Sequence, residues 1–174
     1  PSGALPVKSG KIASAAFAFS SGALTLTEAG PKKRASLHVV AGRAAVDALD
    51  PGGIDPLAAT PAAFRVALSA ENHTLKRALT DPRFLSGIGN AYSDEVLHVA
   101  KLSPFAIAAK LGDTEVERLY TALRGTLASA VAAASGKPAK ELKDAKRAGM
   151  RVHGRTGETC PECGDVVREV SFAD

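Results

Sequence analysis

Seven residues, Asp50-Pro51-Gly52-Gly53-Ile54-Asp55-Pro56, hold two prolines and two glycines, a density that stops both helices and strands. The 174-residue chain changes character across this cluster. Before it, Leu24-Thr25-Leu26-Thr27 and Ser36-Leu37-His38-Val39-Val40 alternate as half-buried strands do, and Gly30-Pro31 with the basic run Lys32-Lys33-Arg34 forms the turn between them. Two or three strands need a partner layer, so this part reads as the remnant of a larger sheet. After the cluster the pattern is helical. We therefore expect a boundary here and three segments, 1–55, 56–149 and 150–174.

Four helices are legible in the middle segment. Thr60 can cap a helix that opens with Pro61 and runs through Phe64, Val66, Ala67 and Leu68. A second spans Thr74 to Thr80 and is stopped by Asp81-Pro82. A third begins at Asn90, carries Tyr92, Val96, Leu97 and Val99, and is closed by Ser103-Pro104. In the fourth, Thr114-Glu115-Val116-Glu117 has the form of a capping box. Val116, Leu119, Tyr120, Leu123, Leu127 and Val131 then recur at helical spacing until Gly136 and Pro138. Residues 137–148, with five Lys/Arg and two acids, read as an exposed linker or a solvated helix. The last 25 residues read as short alternating strands around one cysteine knuckle.

Composition narrows the classes. Of the 45% hydrophobic residues, 34 are alanines, so large apolar side chains are scarce. No run approaches the roughly 20 apolar residues of a membrane span, the first residues show no basic-then-apolar leader pattern, so no export address is expected, and two cysteines three positions apart cannot staple a secreted fold. We expect a cytoplasmic protein without a membrane partner. Net charge is +2 over residues 1–55, +4 over 56–149 and −2 over 150–174, which places the basic excess among the helices. Such a balance suits phosphate binding and is equally common in ordinary globular proteins.

Two constellations can carry chemistry. In Ser86-Gly87-Ile88-Gly89-Asn90-Ala91-Tyr92-Ser93-Asp94-Glu95, two glycines precede a helix that opens with asparagine. Unpaired amides and the positive end of the helix dipole at Ile88, Gly89 and Asn90 make an anion site suited to a phosphodiester. The plainer reading is a tight turn followed by an ordinary cap. Favouring the anion site, Leu75-Lys76-Arg77-Ala78-Leu79 puts adjacent cations on the preceding helix, and Lys76 could reach the same phosphate while Leu75 and Leu79 pack inward.

The second constellation is Cys160-Pro161-Glu162-Cys163-Gly164, a knuckle that supplies half of a zinc site. His153 is a conceivable third ligand and more simply a surface or packing residue. A redox role fits poorly, because a strand rather than a helix follows the first cysteine. Pro1 could in principle attack a sugar C1′, but Ser2, Gly3 and Ala4 offer no acid to assist. Histidines 38, 73 and 98 and the carboxylates Asp94 and Glu95 form no catalytic set and are read as surface or packing residues.

Leu79-Thr80-Asp81 through Pro104, centred on Ser86–Glu95, resembles the helix-two-turn-helix segment of the formamidopyrimidine-DNA glycosylase and endonuclease VIII family. His153-Gly154-Arg155 followed by Cys160-Pro161-Glu162-Cys163-Gly164 resembles the start of that family's C-terminal zinc finger, in the same order and at about the same spacing. The resemblance covers residues from about 56 to the end. It implies an α+β chain: a partial β-sandwich remnant over 1–55, a mainly helical helix-two-turn-helix DNA-binding domain over 56–149, and a truncated zinc-finger β-hairpin over 150–174.

The resemblance also implies base-excision DNA repair. Such glycosylases flip a damaged, often oxidised, base out of double-stranded DNA, cut its glycosidic bond and nick the strand by a Schiff-base lyase step. The family's phosphate-holding roles carry onto Asn90, with Ile88 and Gly89 as backbone contributors, and onto Lys76. Cys160 and Cys163 become zinc ligands, and weak or absent zinc binding by one such half site is expected. The implied partner is damaged duplex DNA, met by a bacterial, nucleoid-associated monomer with no small-molecule cofactor.

Departures accompany the match. The family's nucleophile is an N-terminal proline followed by glutamate, which Pro1-Ser2 does not reproduce, and residues 5–50 look like the last strands of the catalytic domain. The distal cysteines and the hairpin-tip arginine would lie beyond Asp174. The chain thus reads as the middle and back of such a protein with both ends missing, and no catalytic residue is assigned. The alternative is a catalytically silent nucleic-acid-binding module that uses the same helical phosphate site.

Overall fold

The computed structural model describes residues 13–28, 35–138 and 141–170. By internal contacts the chain forms two units, Pro1–Val46 and Asp47–Asp174. Pro1 and the Gly30–Arg34 turn lie outside the described residues.

In the first unit, β1 (Ala13–Phe19) and β2 (Gly22–Thr27) form an antiparallel hairpin with Phe17 opposite Leu24 and Phe19 opposite Gly22. The strand expected at Leu24–Thr27 is β2. The one expected at Ser36–Val40 is absent: residues 35–40 have no regular structure and are all exposed. Alternation marks a strand only where a neighbouring strand takes up its backbone groups, and none pairs with this segment among the described residues. A five-residue helix, α1 (Arg43–Asp47), follows.

The second unit is helical: α2 (Pro61–Leu68), α3 (Leu75–Thr80), α4 (Asn90–Ala100), a 3₁₀ turn (Ala108–Lys110), α5 (Asp113–Ala134) and α6 (Leu142–Ala148). Thr60 caps α2 by accepting from the Ala63 N–H at 3.2 Å, with Pro61 in the first turn. α4 ends three residues before the expected Ser103-Pro104 stop. Lys101 turns left-handed at φ 53°, and the Leu102 N–H returns to the Leu97 carbonyl at 3.0 Å, a C-terminal cap that ends the helix before proline is needed. The capping box of α5 is also displaced from Thr114. The helix starts at Asp113, and the Glu115 carboxylate accepts the Gly112 N–H at 3.0 Å.

Phe64 and Leu68 from α2, Leu75 and Leu79 from α3, Val96 and Leu97 from α4, and Leu119 and Leu123 from α5 meet in one core. Each buried leucine or phenylalanine contributes on the order of 2 kcal/mol. Alanine has a use here: Ala78, Ala100, Ala108 and Ala122 are buried members of the same core. Tyr120 and Arg124 of α5 reach back over the core edge, the Tyr120 hydroxyl to the Ala59 carbonyl at 2.7 Å and the guanidinium to the Leu57 carbonyl. Within the segment expected to be a linker or a solvated helix, Leu142–Ala148 form the helix α6, none of whose residues is buried. No helix among the described residues is long and apolar enough to cross a membrane.

The breaker cluster is more than a linker. The Gly53 N–H donates to the Pro82 carbonyl at 3.1 Å, the Ile54 N–H to the Phe84 carbonyl at 3.0 Å, and the Ser86 N–H to the Ile54 carbonyl at 2.9 Å. This short parallel bridge fixes the 81–89 loop, which delivers the chain to the start of α4. At the head of that loop Arg83 binds both oxygens of Asp81 and holds its carboxyl down at about 2.

Candidate nucleic-acid interface

Most helix starts in this unit are closed. Thr60 occupies that of α2 and Glu115 that of α5, while the Leu75 and Lys76 amides of α3 donate to the Ala106 and Pro104 carbonyls at 2.8 and 3.1 Å. The start of α4 is different. Gly89 occupies the cap position without a side chain to close it, and among the described residues the N–H groups of Ile88, Gly89, Asn90, Ala91 and Tyr92 meet no acceptor. Gly87 turns the chain at φ 77°, a conformation strained for other residues, and the space beside Gly87 and Gly89 is open within 4 Å. Asn90 and Gly89 are exposed. The Ile88 side chain is buried at 6% exposure, so only its backbone faces outward.

Lys76 is brought to this helix start and turned into it. Its ammonium donates to the Asn90 carbonyl at 2.9 Å, to Ser93 Oγ at 2.8 Å and to the Asp94 carboxylate. All three of its donors are in use, so a direct phosphate contact would require exchange with one of these partners. Leu75 and Leu79 are fully buried, as expected.

Asp94 and Glu95 are not plain surface or packing residues. The second oxygen of Asp94 lies 2.7 Å from His153 Nδ1. Glu95, 3% exposed, accepts three successive amides, from Arg151 at 2.8 Å and from Val152 and His153 at 2.9 Å each. A buried carboxylate is tolerable only when so bonded. His98, one turn further on, lies with Nε2 3.2 Å from Cys160 Sγ. The i, i+3 spacing of Glu95 and His98 on a helix with Val96 and Leu97 was the available signal, because it places both polar groups on one face.

The cysteine segment is a hairpin closed by Cys160 N–H to Asp165 O at 2.7 Å and Val167 N–H to Glu158 O at 2.9 Å. The expected strands reduce to one isolated bridge, Thr159 with Val166. The amides of Cys163 and Glu162, and then His98, bond the Cys160 sulfur and hold its thiol down at about 7. This is the environment a knuckle gives a metal-binding thiolate, so Cys160 and Cys163 suit two ligand positions. His153 pairs with Asp94 instead of joining them. Among the described residues no three His, Cys, Asp or Glu side chains are grouped to hold a metal ion.

Residues 53–141 match the formamidopyrimidine-DNA glycosylase H2TH domain. The chain belongs to the formamidopyrimidine-DNA glycosylase family. An uncharacterized formamidopyrimidine-DNA glycosylase-like protein of Mycobacterium tuberculosis is 52% identical over 107 residues, covering 62% of this chain and 68% of that one. The formamidopyrimidine-DNA glycosylase of Carboxydothermus hydrogenoformans is 35% identical over 114 residues, covering 62% of this chain and 43% of the enzyme. The crystal structure of the MutM (Fpg) protein of Thermus thermophilus superposes with a TM-score of 0.74 at 28% identity, over 95% of this chain and 66% of that one. A Lactococcus lactis Fpg bound to DNA with an abasic site shares the fold at a TM-score of 0.64. The chain thus spans under half the length of glycosylases such as the Carboxydothermus one, and the part it shares with the family includes the open start of α4.

Proposed function

We propose that this chain grips the backbone of damaged duplex DNA at the start of α4, as part of a base-excision glycosylase with abasic-site lyase activity. The observation that carries the reading is the row of amides from Ile88 to Tyr92 without acceptors. An anion there gains several charge-assisted hydrogen bonds and the helix dipole at once. Asn90 adds its side-chain amide, Ile88 and Gly89 their backbones, and Lys76 holds the first turn in shape through Asn90, Ser93 and Asp94. In this reading residues 56–149 are the DNA grip and 150–174 the beginning of a zinc finger, in a cytoplasmic monomer. Zinc held by Cys160 and Cys163 would supply folding energy to the hairpin and no chemistry on DNA.

Pinning phosphates helps offset the few kcal/mol that extruding a nucleotide costs. Asn90→Ala is expected to weaken binding to a duplex with one abasic-site analogue by about tenfold to 150-fold, the loss of roughly 1.5–3 kcal/mol for a hydrogen bond to a charged group. Equal affinity of variant and parent across a salt titration would remove Asn90 from the site. Borohydride trapping on an abasic-site duplex then decides the chemistry. A covalent adduct supports the lyase, whereas salt-dependent binding without an adduct supports the silent DNA-binding module for this 174-residue chain.

A further inference from the structure

We infer that α6 is a second phosphate-contacting surface, which extends the grip at the start of α4 along the DNA backbone; this rests on the DNA-binding reading above. The sequence of α6, Leu142-Lys143-Asp144-Ala145-Lys146-Arg147-Ala148, carries three cations against one carboxylate. Its spacing sorts them. Leu142, Ala145 and Gly149 line a cleft of about 510 Å³ shared with α4 and α5. The Lys146 stem lies along the same cleft, and its ammonium sits 5.2 Å from the centre of the Tyr92 ring. Tyr92 is in the first turn of α4, two residues from Asn90, so this contact ties α6 to the helix start that holds the open amides.

Lys143 and Arg147, spaced i, i+4, are exposed and share a face directed away from the cleft that Lys146 lines. Among the described residues no carboxylate pairs with Lys143, Lys146 or Arg147. The cations elsewhere in this unit are often engaged: Arg65 by Asp113, Arg83 by Asp81, Arg151 by Glu162 and Arg155 by Glu158. Unpaired cations on a solvated helix, with no core role and beside a row of open amides, complement a polyanion that continues past a single phosphate.

The test is the salt dependence of binding by the full chain to a short duplex with one abasic-site analogue, between roughly 50 and 200 mM salt. Each lost phosphate contact flattens the slope of log K against log salt by about 0.9. Lys143→Ala with Arg147→Ala should therefore flatten it by about 1.8 and weaken binding by up to about sixtyfold near 0.1 M salt. The charge-keeping pair Lys143→Arg with Arg147→Lys should retain the parental slope. Neither side chain is buried, so the helical circular dichroism and melting temperature should stay unchanged. If the alanine pair keeps the parental slope while Asn90→Ala still weakens binding, α6 is not a contact surface and the grip at α4 stands. If the parent itself binds without salt dependence, the DNA-binding reading fails and this inference with it.

Discussion

Glu95→Ala is expected to release the segment that carries Arg151, Val152 and His153 from α4. Three amides that now donate to one buried carboxylate would lose their acceptor together. Each unsatisfied buried donor costs about 1–3 kcal/mol, and detachment of the segment into water caps the total. We expect a loss of about 3 kcal/mol, read by chemical denaturation, with fast hydrogen exchange at residues 151–153. Glu95→Gln keeps the shape and one good acceptor but turns an amide NH₂ toward a backbone N–H, so about half that loss is expected. Unchanged exchange at these amides in the alanine variant would mean that the carboxylate is not what holds the segment.

Gly53→Ala should be comparably damaging for a steric reason. A Cβ at this position would stand 2.3 Å from the Pro82 carbonyl oxygen and 3.0 Å from the Leu85 nitrogen, both backbone atoms that cannot swing aside. Either the 53–54 segment or the 81–85 loop must move, which breaks the bonds from Gly53 to Pro82 and from Ile54 to Phe84. Strain of this kind costs about 2–4 kcal/mol. Because the displaced loop leads directly to Gly87 and Asn90, DNA binding should fall as well, although no DNA-facing group has been altered. A variant that melts with the parent and binds with parental affinity would show that the loop does not depend on this bridge.

The legible parts of the fold were those set by short-range rules. Thr60-Pro61, Thr74 and the glycines before Asn90 each act on the next three or four amides, and the structure starts helices at each. Ser36–Val40 misled because alternation describes a strand's faces and says nothing about whether a partner strand exists. Thr114 misled for a related reason: several residues near a helix start can cap it, and packing of Val116 and Leu119 chooses the frame. In the candidate site, the open amides follow from Gly-Ile-Gly-Asn alone. The partners of Lys76, Glu95 and His98 do not, because Asp94 meets His153 across 59 positions and His98 meets Cys160 across 62. Only the path of the chain brings such groups together.

α4 also sets a length scale. At about 1.5 Å per residue, Glu95 lies roughly 7 Å and His98 roughly 12 Å along the axis from Asn90. The Debye length at physiological salt is about 8 Å, so the charge of the Glu95 carboxylate, offset by the three amides docked on it, is only partly screened at the end where the amides are bare. The potential that an approaching phosphate meets at Asn90 therefore depends on whether the Arg151–His153 segment is in place. Any event that loosens the cysteine hairpin would change the attraction felt one helix-length away, without altering a residue that touches the ligand.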